Sequence, residues 1–294
     1  YFYRLTMGTH VQLGLVAVAS CAAYEANRIR RHEYTRPDKE DDRVRQIDAL
    51  NAQTGPVFLA YRRDDGIEAL AARSTADAPE VDVTAGDGVR HALWAVRDGA
   101  LIEALTRAFD ALPCLYICDG HHRSAAAARV AAQRRATGGD SAQYFLAVIF
   151  PDQQTRIFDY NRVIKDLNGL APEEFRRRLE PAFIVEPQFA AFKPAQAGEF
   201  AMYLARRWYR LRIRPERVPT DPVQRLDVSL LQDHLITPVL GISDPRRDKR
   251  IDFVGGIRGL SELERRVDSG EMALAFALYP TSLADLMAVA DAGQ

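Results

Sequence analysis

Leu115-Tyr116-Ile117-Cys118-Asp119-Gly120-His121-His122-Arg123-Ser124-Ala125-Ala126 is the stretch on which the fold turns. An apolar run of strand-forming residues stops at a carboxylate, and Gly120 permits a tight turn at no Cβ cost. A helix then begins at about His122 and runs to Arg135, with Gly138-Gly139 closing it. Its free N–H groups and positive dipole end face the mouth of the turn, which makes an anion site. A plainer reading makes Asp119 a cap and leaves His121, His122 and Arg123 solvated. That reading has to explain why donor and cationic side chains crowd the end of a helix that repels positive charge. An anion, or a nearby carboxylate, would resolve it, and Arg123 can grip a phosphate through two N–H groups. Ala125 to Ala128 carry no bulk, so the helix can lie close to a sheet.

Working outward, Tyr1 to Met7 and Gln12 to Ala19 predict a hairpin around Gly8, the second strand running into a short helix. Val57 to Tyr61, His91 to Val96, Pro113 to Cys118 and Tyr144 to Phe150 read as strands, the last apolar enough to be covered on both faces. Helices are predicted over Asp41 to Gln53, stopped by Gly55-Pro56, and over Asp98 to Ala111. In the latter Asp98 caps, and Leu101, Ile102, Leu105 and Phe109 form the buried stripe. Asp64 to Gly88 is part helix, part loop. Beyond Pro151 the expected order is a helix over Pro172 to Leu179, a strand over Phe183 to Val185, and a hairpin of Phe200 to Leu204 with Tyr209 to Ile213. A helix over Leu226 to Leu240 and a strand over Ile251 to Val254 follow. The end reads helix, strand, helix: Leu260 to Val267, Met272 to Leu278, Leu283 to Ala290. The fold class is therefore α+β, mixed sheets with flanking helices. Two lobes are expected, residues 1–165 carrying the junction and 166–294 forming a second α+β lobe, unless the chain is one continuous domain.

With 294 residues, 47% hydrophobic and 27% charged, the composition is that of a globular protein able to bury a large core. A net charge of −1 offers no global attraction to nucleic acid or an anionic membrane. Val18-Ala19-Ser20-Cys21 imitates a lipoprotein cleavage box, yet Arg4 is the sole early positive charge, so no leader is read there. No run is long enough to span a bilayer. The three cysteines, Cys21, Cys114 and Cys118, are too few for a disulfide framework and suit a reducing, cytoplasmic setting. Lacking an initial methionine, the chain reads as a fragment.

Two further stretches carry candidate chemistry. Arg31-His32-Glu33-Tyr34-Thr35-Arg36-Pro37-Asp38-Lys39-Glu40-Asp41-Asp42-Arg43 places Pro37 at a helix N1 and acids in the first turn, the pattern of a capped helix start. Its His, Glu, Arg and Lys would equally suit phosphate contacts beside a general base. Arg250-Ile251-Asp252-Phe253-Val254-Gly255-Gly256-Ile257-Arg258-Gly259 leads a strand into a double glycine. It lacks a phosphate-loop lysine and dinucleotide glycine spacing, so a plain turn is expected. His10, His91 and His234 stand without a constellation and are taken as structural.

The sequence resembles the bacterial and archaeal family known as domain of unknown function 1015. The resemblance rests on His32-Glu33-x-Thr35-x-Pro37-x-Lys39-x-Asp41-Asp42-Arg43, Asp87-Gly88-x-x-His91-x-Leu93-Trp94, Ile117-x-Asp119-Gly120-His121-His122-Arg123 and Asp248 to Gly256. The Asp-Gly-His-His-Arg element is also similar to one in the ParB/sulfiredoxin-like superfamily, where the matching helix start holds nucleotide phosphates. That superfamily includes free-serine kinases. The resemblance implies a ParB/sulfiredoxin-like core, and that Asp119, His121, His122 and Arg123 contact phosphate or its metal. It implies an ATP- or ADP-dependent kinase acting on a small hydroxyl compound, with free L-serine as a candidate. Ser124 and Cys118 stand where family members often have Tyr and Ala, which removes a base-stacking role at 124.

On this reading Gly120, His121, His122, Arg123, His32, Arg36, Lys39 and Arg43 bind the phosphates and nucleotide. Asp119 holds Mg2+ through water, and Glu33 is the base that orients the acceptor hydroxyl. A nucleotide-binding regulatory module without phosphoryl transfer would need the same site but no base. A metal-dependent hydrolase built on the histidine pair is the third possibility, although adjacent helical residues diverge. Nucleic acid and membrane are not expected partners, and a homo-oligomer is left open.

Overall fold

The expected hairpin opens the fold: β1 (Phe2–Met7) and β2 (His10–Ser20) pair in antiparallel register, Met7 opposite His10. The structure, a computed structural model, describes residues 1–33, 35–135 and 140–293. It divides into two compact units, Tyr1–Thr155 with Val289–Gln294, and Arg156–Ala288. The boundary between them at 155/156 falls ten residues before the expected 165/166.

In the first unit Ser20 Oγ caps α1 (Cys21–Glu25), and β3 (Ile29–Arg30) follows. The next helix, α2 (Pro37–Leu50), begins four residues before the expected Asp41. Pro37 presets φ at N1, Asp38 and Glu40 sit at the positive end of the dipole, and left-handed Asn51 ends the helix. Then come β4 (Val57–Tyr61), α3 (Asp65–Ser74), β5 (Val81–Thr84), β6 (Arg90–Trp94), α4 (Gly99–Ala111), β7 (Leu115–Asp119), α5 (His121–Gln133) and β8 (Tyr144–Pro151). Asp98 caps α4 as expected, its carboxylate accepting from the Ala100 amide at 2.9 Å. The predicted stripe is narrower, because Leu101 and Leu105 are buried whereas Ile102 is 46% exposed. The glycines expected to close α5 lie outside the described residues.

The eight strands form one mixed sheet in the order β3-β7-β4-β8-β2-β1-β6-β5. β8 runs antiparallel to β2 and parallel to β4, which in turn is antiparallel to β7. Ala125, Ala127, Ala128 and Ala131 of α5 pack into the same core as Phe145, Ala147 and Ile149 of β8. The other face of β8 is only partly covered, with Tyr144 exposed and Leu146 and Val148 half-buried, so the expectation of two sealed faces holds for one. Ala126 and Val130, on another side of α5, pack against Val44 and Ile47 of α2. The short side chains thus let one helix serve two neighbours.

The second unit holds a six-stranded antiparallel sheet in the order β10-β12-β11-β14-β9-β13. Its elements are β9 (Tyr160–Ile164), α6 (Pro172–Leu179), β10 (Phe183–Gln188), β11 (Glu199–Leu204), β12 (Arg207–Ile213), α7 (Asp227–Leu231), α8 (Thr237–Leu240), β13 (Ile251–Gly255), α9 (Leu260–Asp268) and β14 (Leu274–Leu278). α10 (Leu283–Asp291) ends the described elements. The single helix expected over Leu226 to Leu240 is interrupted by a π-helical turn, Gln232–Ile236. Pro238 has no N–H for the His234 carbonyl and its ring crowds that turn, so the backbone widens ahead of it. A large apolar core, including Phe175, Phe183, Phe200 and Phe276, fills one side of this sheet. Among the described residues no helix is long and apolar enough to cross a membrane.

Candidate functional site

β7 delivers Asp119 to the edge of the junction, and Gly120 turns the chain with φ of 102° before α5 starts. The first intrahelical bond is donated by the Ser124 amide to the Gly120 carbonyl at 2.9 Å. The amides preceding Ser124 therefore have no partner within the helix, as a helix start requires. Ser124 is buried and its Oγ turns back onto the Gly120 and His121 carbonyls, so it offers nothing to a ligand.

The motif side chains take separate tasks. Arg123 pairs with Asp119 one turn earlier, and its guanidinium folds over Gly120. A β-carbon at position 120 would sit 2.9 Å from Arg123 Nε, so the glycine serves both the backbone and the arginine. His122 accepts a hydrogen bond through Nε2 from the Arg36 amide at 3.1 Å, fastening the start of α2 to the start of α5. His121 is only 3% exposed and stands edge-on to His32, ring centroids 4.5 Å apart. Burial, followed by the neighbouring His32, lowers its pKa to about 4. The His32 pKa is likewise lowered, chiefly by burial. His121 is therefore a neutral ring at pH 7 and contributes no fixed charge, unlike the cationic first turn that the sequence suggested. Its Nδ1 lies 3.4 Å from a Glu33 carboxylate oxygen, and its Nε2 is buried without a hydrogen-bond partner among the described residues.

In front of the junction lies a cavity of about 460 Å3, lined by residues 119–123 together with Glu33 and Arg43. Glu33 and the helix start are thus brought together although 88 positions separate Glu33 from His121 in sequence. Arg43 lines the cavity and donates to Gln46 at 2.8 Å. Arg36 is exposed and paired with Asp38 at 3.0 Å, and Lys39 is exposed; neither is among the residues found to line the cavity. His32 reaches it only by packing on His121. Sequence reasoning missed Gln46, Gln53, Thr54 and Gly55, which also line the cavity, Gly55 beside the Arg123 guanidinium. Arg43, Gln46 and Ile47 are one helical face at i, i+3 and i+4, a periodicity that could have pointed to them. Cys118 also borders the cavity, but burial and the Asp119 charge push its thiol up to about 12, so it is not a nucleophile at neutral pH.

Among the described residues no cluster of three or more His, Cys, Asp or Glu side chains is placed to hold a metal. Asp119 is a hard oxygen donor of the kind Mg2+ takes beside phosphate oxygens and water, so the residues present fit a phosphate-bound ion better than a protein cage. The double glycine of the second unit proves to serve the fold. Gly256 lies against Asp159, whose Oδ1 would be 2.0 Å from an added β-carbon.

The family model described as "Protein of unknown function (DUF1015)" matches residues 1–229. No curated protein matches the chain. Three solved structures give a sense of the likeness. A free serine kinase in complex with AMP is 15% identical, with TM-score 0.43, covering 95% of this chain and 83% of that one. A conserved hypothetical protein from Pyrococcus furiosus is 15% identical, with TM-score 0.39 and coverage of 95% and 86%. SbnI with a C-terminal truncation, from Staphylococcus aureus, is 10% identical, with TM-score 0.42 and coverage of 95% and 78%. Similarity at this level leaves the chemistry to be read from the chain's own residues.

Proposed function

The chain belongs to the DUF1015 family, whose name assigns no activity, and from the chemistry of the cavity we propose that it is a nucleotide-dependent phosphotransferase acting on a small hydroxyl compound. The observation that carries this reading is one open cavity holding both a helix start with Arg123 and the Glu33 carboxylate. A site that only held phosphate would gain nothing from a carboxylate inside it, because like charges repel. A site that transfers phosphate needs a base there to orient and deprotonate the incoming hydroxyl.

On this reading the helix amides, Arg123 and Arg43 neutralise the terminal phosphates of ATP or ADP. The acceptor oxygen bonds to the terminal phosphorus as the P–O bond to the departing nucleoside phosphate breaks, and the acceptor proton passes to Glu33. Asp119 would hold Mg2+ through water, and the ion would supply neutralisation of the charge on the transferred phosphate. The Asp119–Arg123 pair keeps the guanidinium over the cavity mouth before any anion arrives, which reduces the ordering cost of binding. Free L-serine is a candidate acceptor on the strength of the Asp-Gly-His-His-Arg resemblance.

The test is phosphoryl transfer from ATP and from ADP to a panel of small alcohols and hydroxy amino acids, alongside nucleotide binding by calorimetry. Turnover that requires Glu33 and nucleotide binding that requires Arg123 would support the reading. Nucleotide binding without turnover on any acceptor would instead favour a regulatory module.

A further inference from the structure

A second cavity, of about 470 Å3, opens beside the first, and among the described residues Glu33 alone lines both. The remaining wall comes from Tyr24, Asn27, Arg31 and Thr35, and from Ala290 and Gly293 near the chain's end. Asp291 fixes that last wall, because its carboxylate pairs with both Arg30 and Arg62. Resting on the phosphotransferase reading, we propose that this second cavity is the acceptor subsite and that Arg31 binds a carboxylate group of the acceptor.

Three observations lead there. Arg31 and Glu33 both line this cavity, and the chain bends between them at His32, whose ring packs instead on His121. The Arg31 guanidinium lies over the Tyr24 ring at 4.9 Å and donates to the Tyr24 hydroxyl at 3.3 Å. It is held in place before any ligand arrives, and a stacked guanidinium keeps N–H groups for a planar anion. Among the described residues no carboxylate lies within ion-pair distance of it, whereas Arg30, Arg36, Arg123 and Arg129 each have one. A charge fixed beside the base, with no carboxylate paired to it among the described residues, selects an anionic acceptor. Phosphate is the competing guest, but it is served by the helix start across Glu33. With its carboxylate on Arg31, a small hydroxy acid could direct its hydroxyl at Glu33, where the proton leaves as the oxygen bonds to phosphorus.

The experiment compares wild type, Arg31→Ala and Arg31→Lys, as full chains, on matched acceptors: glycolate against ethylene glycol, and L-serine against L-serinamide. Wild type should prefer the carboxylates in kcat/KM by roughly 10- to 100-fold, the worth of a charge-assisted pair. Arg31→Ala should erase that preference through KM and leave nucleotide affinity unchanged, with Arg31→Lys in between. A preference that survives in Arg31→Ala overturns the proposal. So does a loss confined to nucleotide affinity, which would make Arg31 a phosphate ligand. If no acceptor is phosphorylated, the phosphotransferase reading fails by itself. Calorimetric titration of the nucleotide-saturated protein with glycolate and ethylene glycol then decides Arg31. Carboxylate-selective binding lost in Arg31→Ala sustains the subsite, and unselective or absent binding refutes it.

Discussion

Glu33 and His121 meet with 3.4 Å between carboxylate oxygen and Nδ1, an exposed acid against a ring that is almost wholly enclosed. The contact joins the segment before α2 to the start of α5, and it places a carboxylate in the lining of the cavity before that helix start. If Glu33 is that base, Glu33→Gln should lower kcat by roughly 100- to 10,000-fold, the usual worth of a positioned general base. Nucleotide affinity should stay at the wild-type value. Steady-state kinetics with parallel calorimetry reads both, and equal loss of binding and turnover would count against the assignment.

Arg123→Ala should weaken ATP and ADP binding by about 10- to 100-fold, with Arg123→Lys recovering part of it, since lysine restores charge but not the two-pronged grip. The same substitution releases Asp119 from its partner. Raising ionic strength should weaken wild-type binding more than that of Arg123→Ala, because less of the mutant's affinity is electrostatic.

Gly120→Ala should both destabilise the protein and blunt anion binding. Left-handed backbone costs a residue with a β-carbon about 1–2 kcal/mol, and here that carbon also presses on Arg123 Nε. Thermal melts should therefore fall, and nucleotide affinity should drop towards the Arg123→Ala value. Normal affinity in the folded Gly120→Ala protein would show that the guanidinium's position over the glycine is unimportant.

The lowered pKa of His121, about 4 against 6.5 unfolded, fixes a direction for acid sensitivity. Between those values the unfolded chain binds the proton that the buried ring refuses. The stability from keeping this ring neutral is therefore complete above pH 6.5 and is lost as pH falls towards 4. The lowered His32 acts in the same sense. Melting temperature followed from pH 7 to pH 4 should decline more steeply for wild type than for His121→Leu, and parallel curves would refute the account.

In the second unit Gly256→Ala should cost about 1–3 kcal/mol, the usual penalty of overpacking, because the methyl group would collide with Asp159. Asp159 is itself held by Asn161 at 2.8 Å and has little freedom to withdraw. Chemical denaturation of wild type and variant measures the difference.

Local periodicity carried the fold a long way. The apolar alternation of β1 and β2, the Asp98 cap and the strand–glycine–helix junction are all short-range signals, and each falls where its residues pointed. What failed to show were consequences of distant neighbours. The exposure of Ile102 and the half-covered face of β8 depend on what packs where, and the π turn ahead of Pro238 depends on how a helix absorbs a missing amide. At the site, the sequence supplied the donor-rich helix start and Glu33. It could not reveal that burial strips His121 of its charge, that His122 is occupied by the Arg36 amide, or that Arg36 and Lys39 point elsewhere. Gln53 and Thr54 went unnoticed because a loop wall has no period to betray it.

The strand order of the first unit bears on how the nascent chain matures. β2 ends at Ser20, yet its neighbour β8 starts only at Tyr144, and the two pair along six residues. A ribosome-bound hairpin must wait, one edge open, until most of that unit has been synthesised. Pairing so distant in sequence makes assembly slow, and the waiting strand is an opportunity for aggregation. Recombinant yield should therefore respond to lower temperature or added chaperone more than to any change at the phosphate cavity.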